Sequence, residues 1–167
     1  MLKTYTKNSI IRTNKITEEI LAVVELQNNG FILNILNAPR EQIRKYLKEK
    51  IPTPKPVGND NMLNKFFENG KTLLHESVSQ NKYDITELFL SFGADVNIKA
   101  NGKTMAHIAA ETNNTNLLGI IIAYKGDLSL YNNVGGTPLQ AAIAFNNYDV
   151  LKALWLVCKN LQESEEG

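Results

Sequence analysis

Gly102-Lys103-Thr104-Met105-Ala106-His107 is the stretch on which the fold turns, because the same pattern stands twice more in the chain. Gly70-Lys71-Thr72-Leu73-Leu74-His75 precedes it and Gly135-Gly136-Thr137-Pro138-Leu139-Gln140 follows it, with the three threonines 32 and 33 residues apart. The match continues outward from each threonine. Nine positions on stand Asn81, Asn113 and Asn146, and thirteen on stand Ile85, Leu117 and Val150. Seventeen and eighteen on stand Phe89-Leu90, Ile121-Ile122 and Leu154-Trp155. A period of this length marks a repeat array, in which each unit is one supersecondary element stacked on the next.

The chemistry within each unit is that of two short helices. Thr72, Thr104 and Thr137 stand where a hydroxyl caps a helix N-terminus. Apolar residues then recur at helical spacing, as in Leu73-Leu74-Val78 and Ile85-Leu88-Phe89-Leu90. Asn81, Asn113 and Asn146 suit the tight turn between the two helices, since asparagine tolerates a left-handed backbone. Neither helix buries enough surface alone, so neighbouring units must complete the core. Leu74, Ala106 and Leu139 share one expected buried slot, and Phe89, Ile121 and Leu154 another.

These segments resemble the ankyrin repeat, whose signature is Gly-x-Thr-Pro-Leu-His followed by two helices and a Gly-Ala-Asp start to the next hairpin. Gly93-Ala94-Asp95-Val96-Asn97 reproduces the inter-repeat stretch closely and Lys125-Gly126-Asp127-Leu128-Ser129 loosely. Leu73 and Met105 depart from the signature proline, and Gln140 from the histidine. The resemblance implies an all-α solenoid of three helix-turn-helix repeats over residues 62–161, with strand content limited to hairpin-like tips. It also implies a structural role for His75 and His107.

Function follows from the resemblance as an expectation. The protein is a protein–protein interaction scaffold rather than an enzyme, with no catalytic residues, cofactor or metal, and it binds its partner along a concave strip. Carried onto this chain, the hairpin-tip positions are Phe66, Glu68, Asn69 and Lys71, then Ile98, Ala100, Asn101 and Lys103, then Tyr131, Asn133 and Val134. The first-helix positions are Ser79 and Gln80, Glu111 and Thr112, and Ala144 and Phe145. Phe66, Ile98, Tyr131 and Phe145 are large apolar groups on an otherwise polar strip, and such anchors dominate many interfaces. No phosphate-binding loop, catalytic triad or paired-carboxylate motif stands beside them.

The remaining sequence frames the array. Residues 1–51 read as an N-terminal helical cap or module, with Thr17 capping a helix that carries Ile20, Leu21, Val23 and Val24. A last helix after Asn37-Ala38-Pro39 has Ile43, Tyr46 and Leu47 on one side and Arg40, Arg44, Lys45 and Lys48 on the other. Residues 52–61, beginning Pro52-Thr53-Pro54-Lys55-Pro56, read as a linker, and residues 162–167 as an acidic tail. Ile16-Thr17-Glu18-Glu19-Ile20-Leu21 is similar to the Leu-Pro-x-Glu-Ile/Leu-Leu opening of F-box domains without its proline. That gives an alternative function, a ubiquitin-ligase substrate adaptor using residues 16–51. The apolar run Leu154 to Cys158 is unusual for a terminal helix, and it suggests that these residues fold back over the third repeat or meet another chain, by self-association, or a further C-terminal domain.

Composition narrows the setting. Of 167 residues 43% are hydrophobic and 21% charged, the balance of an ordinary globular chain, and the net charge of +1 gives no case for nucleic acid. The longest apolar run is far short of the roughly 20 residues that span a bilayer. The first thirty residues lack a secretory pattern, and the single cysteine fits a reducing, cytoplasmic compartment. The 21 asparagines, with many lysines and isoleucines, point to an AT-rich genome. Together with the acidic ending Glu163-Ser164-Glu165-Glu166, they suggest a bacterial effector secreted into a eukaryotic host cell by a type IV system.

Overall fold

The computed structural model describes residues 35–51 and 61–165, with the side chains of 158 and 161–165 left aside. Thr17, the helix expected after it, the F-box-like stretch and the Pro52–Pro56 linker lie outside the described residues. Seven α-helices are described: α1 (Arg40–Lys50), α2 (Leu73–Ser79), α3 (Tyr83–Ser91), α4 (Met105–Glu111), α5 (Thr115–Ala123), α6 (Pro138–Ala144) and α7 (Tyr148–Glu165). A 3-10 turn at Met62–Asn64 precedes α2. There is no strand among the described residues, and one isolated antiparallel bridge joins Ala100 to Lys103. Pairs α2–α3, α4–α5 and α6–α7 are the three repeats.

Each repeat begins with the same electrostatic lock. The Thr72 backbone N–H points at His75 Nδ1 (3.5 Å), that of Thr104 at His107 Nδ1 (3.3 Å), and that of Thr137 at Gln140 Oε1 (2.8 Å). The threonine oxygens in turn face the third-residue N–H, completing three capping boxes. Because Nδ1 accepts in both histidines, the ring proton sits on Nε2. In His107 that N–H donates to the Gly136 carbonyl of the following hairpin at 2.9 Å, joining cap and neighbour in one side chain. His75 Nε2 is buried without a hydrogen-bond partner.

Each helix that ends inside the array ends in one way. The residue after the C-cap is left-handed at Asn81 (φ 57°), Gly93 (89°), Asn113 (53°), Lys125 (57°) and Asn146 (56°). The next N–H then reaches five residues back: Lys82 to Ser77, Ala94 to Phe89, Asn114 to Ala109, Gly126 to Ile121 and Asn147 to Ala142, all at 2.8–3.1 Å. This is the Schellman closure, which satisfies orphan carbonyls and reverses the chain at once. The three asparagines conform to the expectation. Lys125 is the one member of the set that bears the steric cost of a left-handed, non-asparagine side chain.

The core is a single cluster running from Ile35, Leu36, Ile43, Tyr46 and Leu47 through Leu73, Phe89, Leu117 and Ile121 to Val150 and Leu154. Residues 35–51 therefore pack on the first repeat, and Lys82 Nζ ties them to it through the Leu36 carbonyl (2.6 Å) and Asn37 Oδ1 (2.8 Å). Ile43, Tyr46 and Leu47 are buried while Arg40, Arg44, Lys45 and Lys48 are exposed, as the sequence pattern requires. Two expectations need correction. Leu139 is only half-buried, unlike Leu74 and Ala106, because among the described residues no further repeat lies over it. Residues 162–165, read as tail, continue α7.

Asparagine also carries the joints between repeats. Asn64 Oδ1 accepts the Asp95 N–H (2.8 Å) and Asn97 Oδ1 the Asp127 N–H (2.7 Å), the same bond one repeat further on. Asn61 donates to the Phe92 and Gly93 carbonyls, and Asn147 to that of Ala110. Asn113 accepts from the Val150 N–H and donates to Asp149, while Asn114 donates to the Tyr83 hydroxyl.

Three outcomes are expected. Ile121, fully enclosed in the middle repeat, should cost roughly 2–5 kcal/mol when cut to alanine, and the array should unfold as one transition in urea. Separate melting of outer repeats would contradict that coupling. Lys125→Gly should stabilise by about 0.5–1 kcal/mol, since glycine takes the left-handed turn without strain, read as a higher urea midpoint at equal slope. The third outcome concerns acid. Burial lowers the His75 pKa to about 4, the Ile98 backbone opposing this and nearby Lys71 adding to it. An unfolded histidine titrates near 6.5, so between about 6.5 and 4 the unfolded chain takes up a proton that the fold refuses, and stability falls as pH drops, by up to roughly 3 kcal/mol. His75→Gln, copying Gln140, should keep the cap and flatten that part of the pH profile of the urea midpoint.

Candidate protein-binding surface

The hairpins between repeats are closed by short backbone pairs that bring their tips level with the first helices. Phe67 N–H bonds to the Lys71 carbonyl (2.9 Å), Ala100 and Lys103 bond reciprocally (2.9 and 3.1 Å), and Asn132 N–H bonds to the Gly136 carbonyl (2.8 Å). Asn101 and Gly102 both have positive φ, 52° and 77°, the backbone of a two-residue Asn-Gly hairpin turn. Successive tips touch. Asn133 N–H donates to the Gly102 carbonyl at 3.0 Å, and a Cβ on Gly102 would come within 2.5 Å of Asn133 Cβ. Glycine is thus required there by both conformation and space.

Between the tips and the helices runs a trough of two hollows. One lies between repeats one and two, bordered by Lys71, His75, Ser79, Ala100, Asn101, Lys103, Ile108 and Glu111. The other, of about 510 Å³, lies between repeats two and three, bordered by Lys103, Glu111, Asn132, Asn133, Val134, Gly135, Gly136, Gln140, Ala141, Ala144 and Phe145. Lys103 and Glu111 border both, and their ion pair (2.7 Å) forms the ridge that divides them.

The residues expected on the strip divide accordingly. Lys71, Asn101, Lys103, Glu111, Asn133 and Phe145 line the hollows. Phe66, Glu68 and Tyr131 are exposed outside them, Ile98 is half-buried, and Gln80 is half-buried as the C-cap of α2. Thr112 likewise caps α4, its hydroxyl donating to the Ile108 carbonyl at 2.7 Å. Ala100, counted among the tip positions, is buried instead, because its backbone closes the hairpin against Lys103. Lys71 is held by Glu76 (3.6 Å) and the Ser79 hydroxyl (3.3 Å). A 3.6 Å pair with a partly exposed lysine is worth about 1 kcal/mol at most.

Several lining residues are not among the expected strip positions, Ile108, Ala141, Asn132 and Gln140 among them. Asn132 braces the third tip by accepting the Val134 and Gly136 N–H groups (3.1 and 2.8 Å). Gln140 stands at the position that His75 holds in the first repeat, and each borders a hollow. His75 borders the first hollow with its capping nitrogen turned inward to Thr72, and its partner His107 is engaged at both nitrogens. Among the described residues no helix is long and apolar enough to cross a membrane.

Comparison with known proteins agrees with this geometry. The family model described as ankyrin repeats (3 copies) matches residues 74–163. Among solved structures, the fold is similar to the ankyrin repeat domain of Bcl-3, described as a unique member of the IkappaB protein family. That likeness has a TM-score of 0.55 and 23% identity, covering 68% of this chain and 46% of the other, so the chain spans about half of that domain. No curated protein matches the sequence. With three capping boxes, a Schellman closure at each internal helix end and the family's pattern over more than half its length, the chain belongs to the ankyrin-repeat family.

Proposed function

We propose that the protein is an interaction scaffold that holds a protein partner along the two-hollow trough. Ankyrin repeats generally mediate protein–protein interaction. The observation that carries the reading to this surface is the second hollow, where Val134 and Phe145 are exposed beside Ala141 and Ala144. Large apolar groups kept in water at the mouth of a concavity release that water on binding. The polar rim, Asn132, Asn133, Gln140 and the Lys103–Glu111 pair, supplies the directional contacts that fix a partner's register.

The finer setting is also a proposal. The asparagine- and lysine-rich composition and the acidic ending support a bacterial effector acting in a eukaryotic host cell. The ligase-adaptor alternative rests on residues 16–21; residues 35–51, its described remainder, are committed to covering the first repeat.

Phe145→Ala should weaken partner binding by roughly 1–3 kcal/mol, with the melting temperature nearly unchanged because the side chain is more than half exposed. Tyr131→Ala, outside the hollows but on the same strip, should weaken it less. Calorimetry against a partner captured from eukaryotic lysate reads both. Undiminished affinity in the Phe145 variant would remove the trough from the binding site.

A further inference from the structure

The two joints between repeats are built differently on the side of the trough. At the second joint, hydrogen bonds clasp the inner parts of repeats two and three. His107 Nε2 donates to the Gly136 carbonyl (2.9 Å), the Asn133 N–H to that of Gly102 (3.0 Å) and the Asn147 amide to that of Ala110 (2.6 Å). His75, Asn101 and Asn114 hold the equivalent positions one repeat earlier, and none of them makes the equivalent bond. His75 Nε2 is buried without a partner; the nearby Ile98 backbone favours the ring proton but lies outside hydrogen-bond geometry. The Asn101 N–H does not reach the Gly70 carbonyl. Asn114 donates outward instead, to the Tyr83 hydroxyl on α3.

Packing accounts for the difference. Where α4 carries Ala106 and Ala110, α2 carries Leu74 and Val78 at the same positions, and all four are buried. Alanine lets α4 and α6 pass close to one another, whereas the larger pair holds α2 and α4 further apart. The bonds that do cross the first joint lie at the hairpin bases and on the outer helices. Asn64 accepts the Asp95 N–H at 2.8 Å, Asn114 reaches Tyr83, and the Tyr124 hydroxyl donates to the Glu87 carbonyl at 3.3 Å. Among the described residues, the outer edge of this joint is thus pinned by directional bonds. Its trough side is held by apolar contact, which prefers no direction.

We propose that the first joint is a hinge: repeats two and three move as one body against repeat one about the outer helices, so that the first hollow opens and narrows while the second keeps its shape. Narrowing brings the Lys103 carbonyl, which precedes its cap threonine as Gly136 does, toward the unpaired His75 N–H. An unpaired buried donor is costly, so that bond favours the narrow form, and the bulk of Leu74 and Val78 resists it. Two forms balanced to within one hydrogen bond are within the range that a ligand's differential affinity shifts. The motion belongs to the folded state and leaves the unfolding of the array cooperative. Its use, though not the motion itself, rests on the trough being the binding surface. Lys71, Asn101 and Lys103 border the hollow that moves, so a segment lying there is gripped by the second hairpin. Val134 and Phe145 border the hollow that is already formed.

Nuclear magnetic resonance relaxation of the full chain, with no partner present, reads such motion on the microsecond-to-millisecond scale. The His75 ring and the Asn101 amide should show conformational exchange, and the His107 ring and the Asn133 amide none. The Asn133 amide proton should also exchange with solvent at least about tenfold more slowly than that of Asn101. Spin labels give a second reading, with Cys158→Ser removing the native thiol. Labels at Lys65→Cys and Lys99→Cys, across the first joint, should give a broader distance distribution than labels at Lys99→Cys and Tyr131→Cys, across the second. Equal exchange at the two joints, or equal widths for the two label pairs, overturns the hinge. A rigid first joint in a chain whose Phe145→Ala variant loses affinity removes the hinge and keeps the trough. A moving joint with undiminished affinity in that variant keeps the hinge and removes the trough.

Discussion

Apart from α7, no helix in the repeats is long enough to hold itself together, and everything else in the molecule follows from that. Helices α2, α4 and α6 have seven residues each, and α3 and α5 nine. Isolated helices shorter than about 12–15 residues are marginal in water. Their stability has to come from the face each presents to its neighbours. Ala106, Ala109 and Ala110 on α4 are small enough for α6 to approach closely, and Gly126 lies so near Ile121 that a Cβ would come within 2.3 Å of its Cγ2. The repeats are thus one cooperative body, in which a loss of volume at one joint is felt at the next.

Short helices also bring many ends close together, and each end exposes unpaired backbone groups. The chain answers with two devices used over and over, the capping box at the start of the first helices and the left-handed Schellman residue at each internal end. Asparagine serves both this closure and the joints between repeats, at Asn81, Asn113 and Asn146 for the turns and at Asn61, Asn64, Asn97 and Asn147 for the bonds. Asn113 does both. Its abundance reads from composition as a trace of an AT-rich genome, but at these positions a particular amide has a particular partner. Compositional bias and structural use coincide here, and the first does not account for the second.

The repeat architecture was legible because it is written in the period: threonine caps, asparagine turns and the Phe89–Ile121–Leu154 slot fall at matched offsets, and each takes its expected place. Interior positions obey a rule that a single sequence displays three times. The ends of the array break the period, and there the reading was less complete. Leu139 matches Leu74 and Ala106 in sequence but not in burial, because burial at that slot depends on what lies beyond the repeat. The run of α7 past position 158 was illegible for a related reason, since Leu154 to Cys158 is apolar whether the chain turns or continues. The trough was legible in outline and not in detail. Ala100 looked like a tip residue by count, yet a two-residue turn at Asn101-Gly102 draws it inward, and the Lys103–Glu111 ridge requires two side chains eight positions apart to meet across a helix end.

That partition also supports the proposed place of recognition. Positions that face a neighbouring repeat are fixed in size and polarity by packing, and positions that close helix ends are fixed by backbone geometry. What is left for a partner is the inner edge of tips and first helices, where Ser79, Glu111 and Ala144 occupy one equivalent position with three unrelated side chains. Substitution there costs the fold little, so the surface is free to be shaped by whatever binds it. The consequence is a gradient along the trough. The first hollow is walled by lysine, serine and asparagine, with Ile108 beneath, and the second by alanine, valine and phenylalanine, with the Lys103–Glu111 pair standing between. On the proposed function, a partner that spans both meets the more apolar hollow at the third repeat and the more polar one at the first.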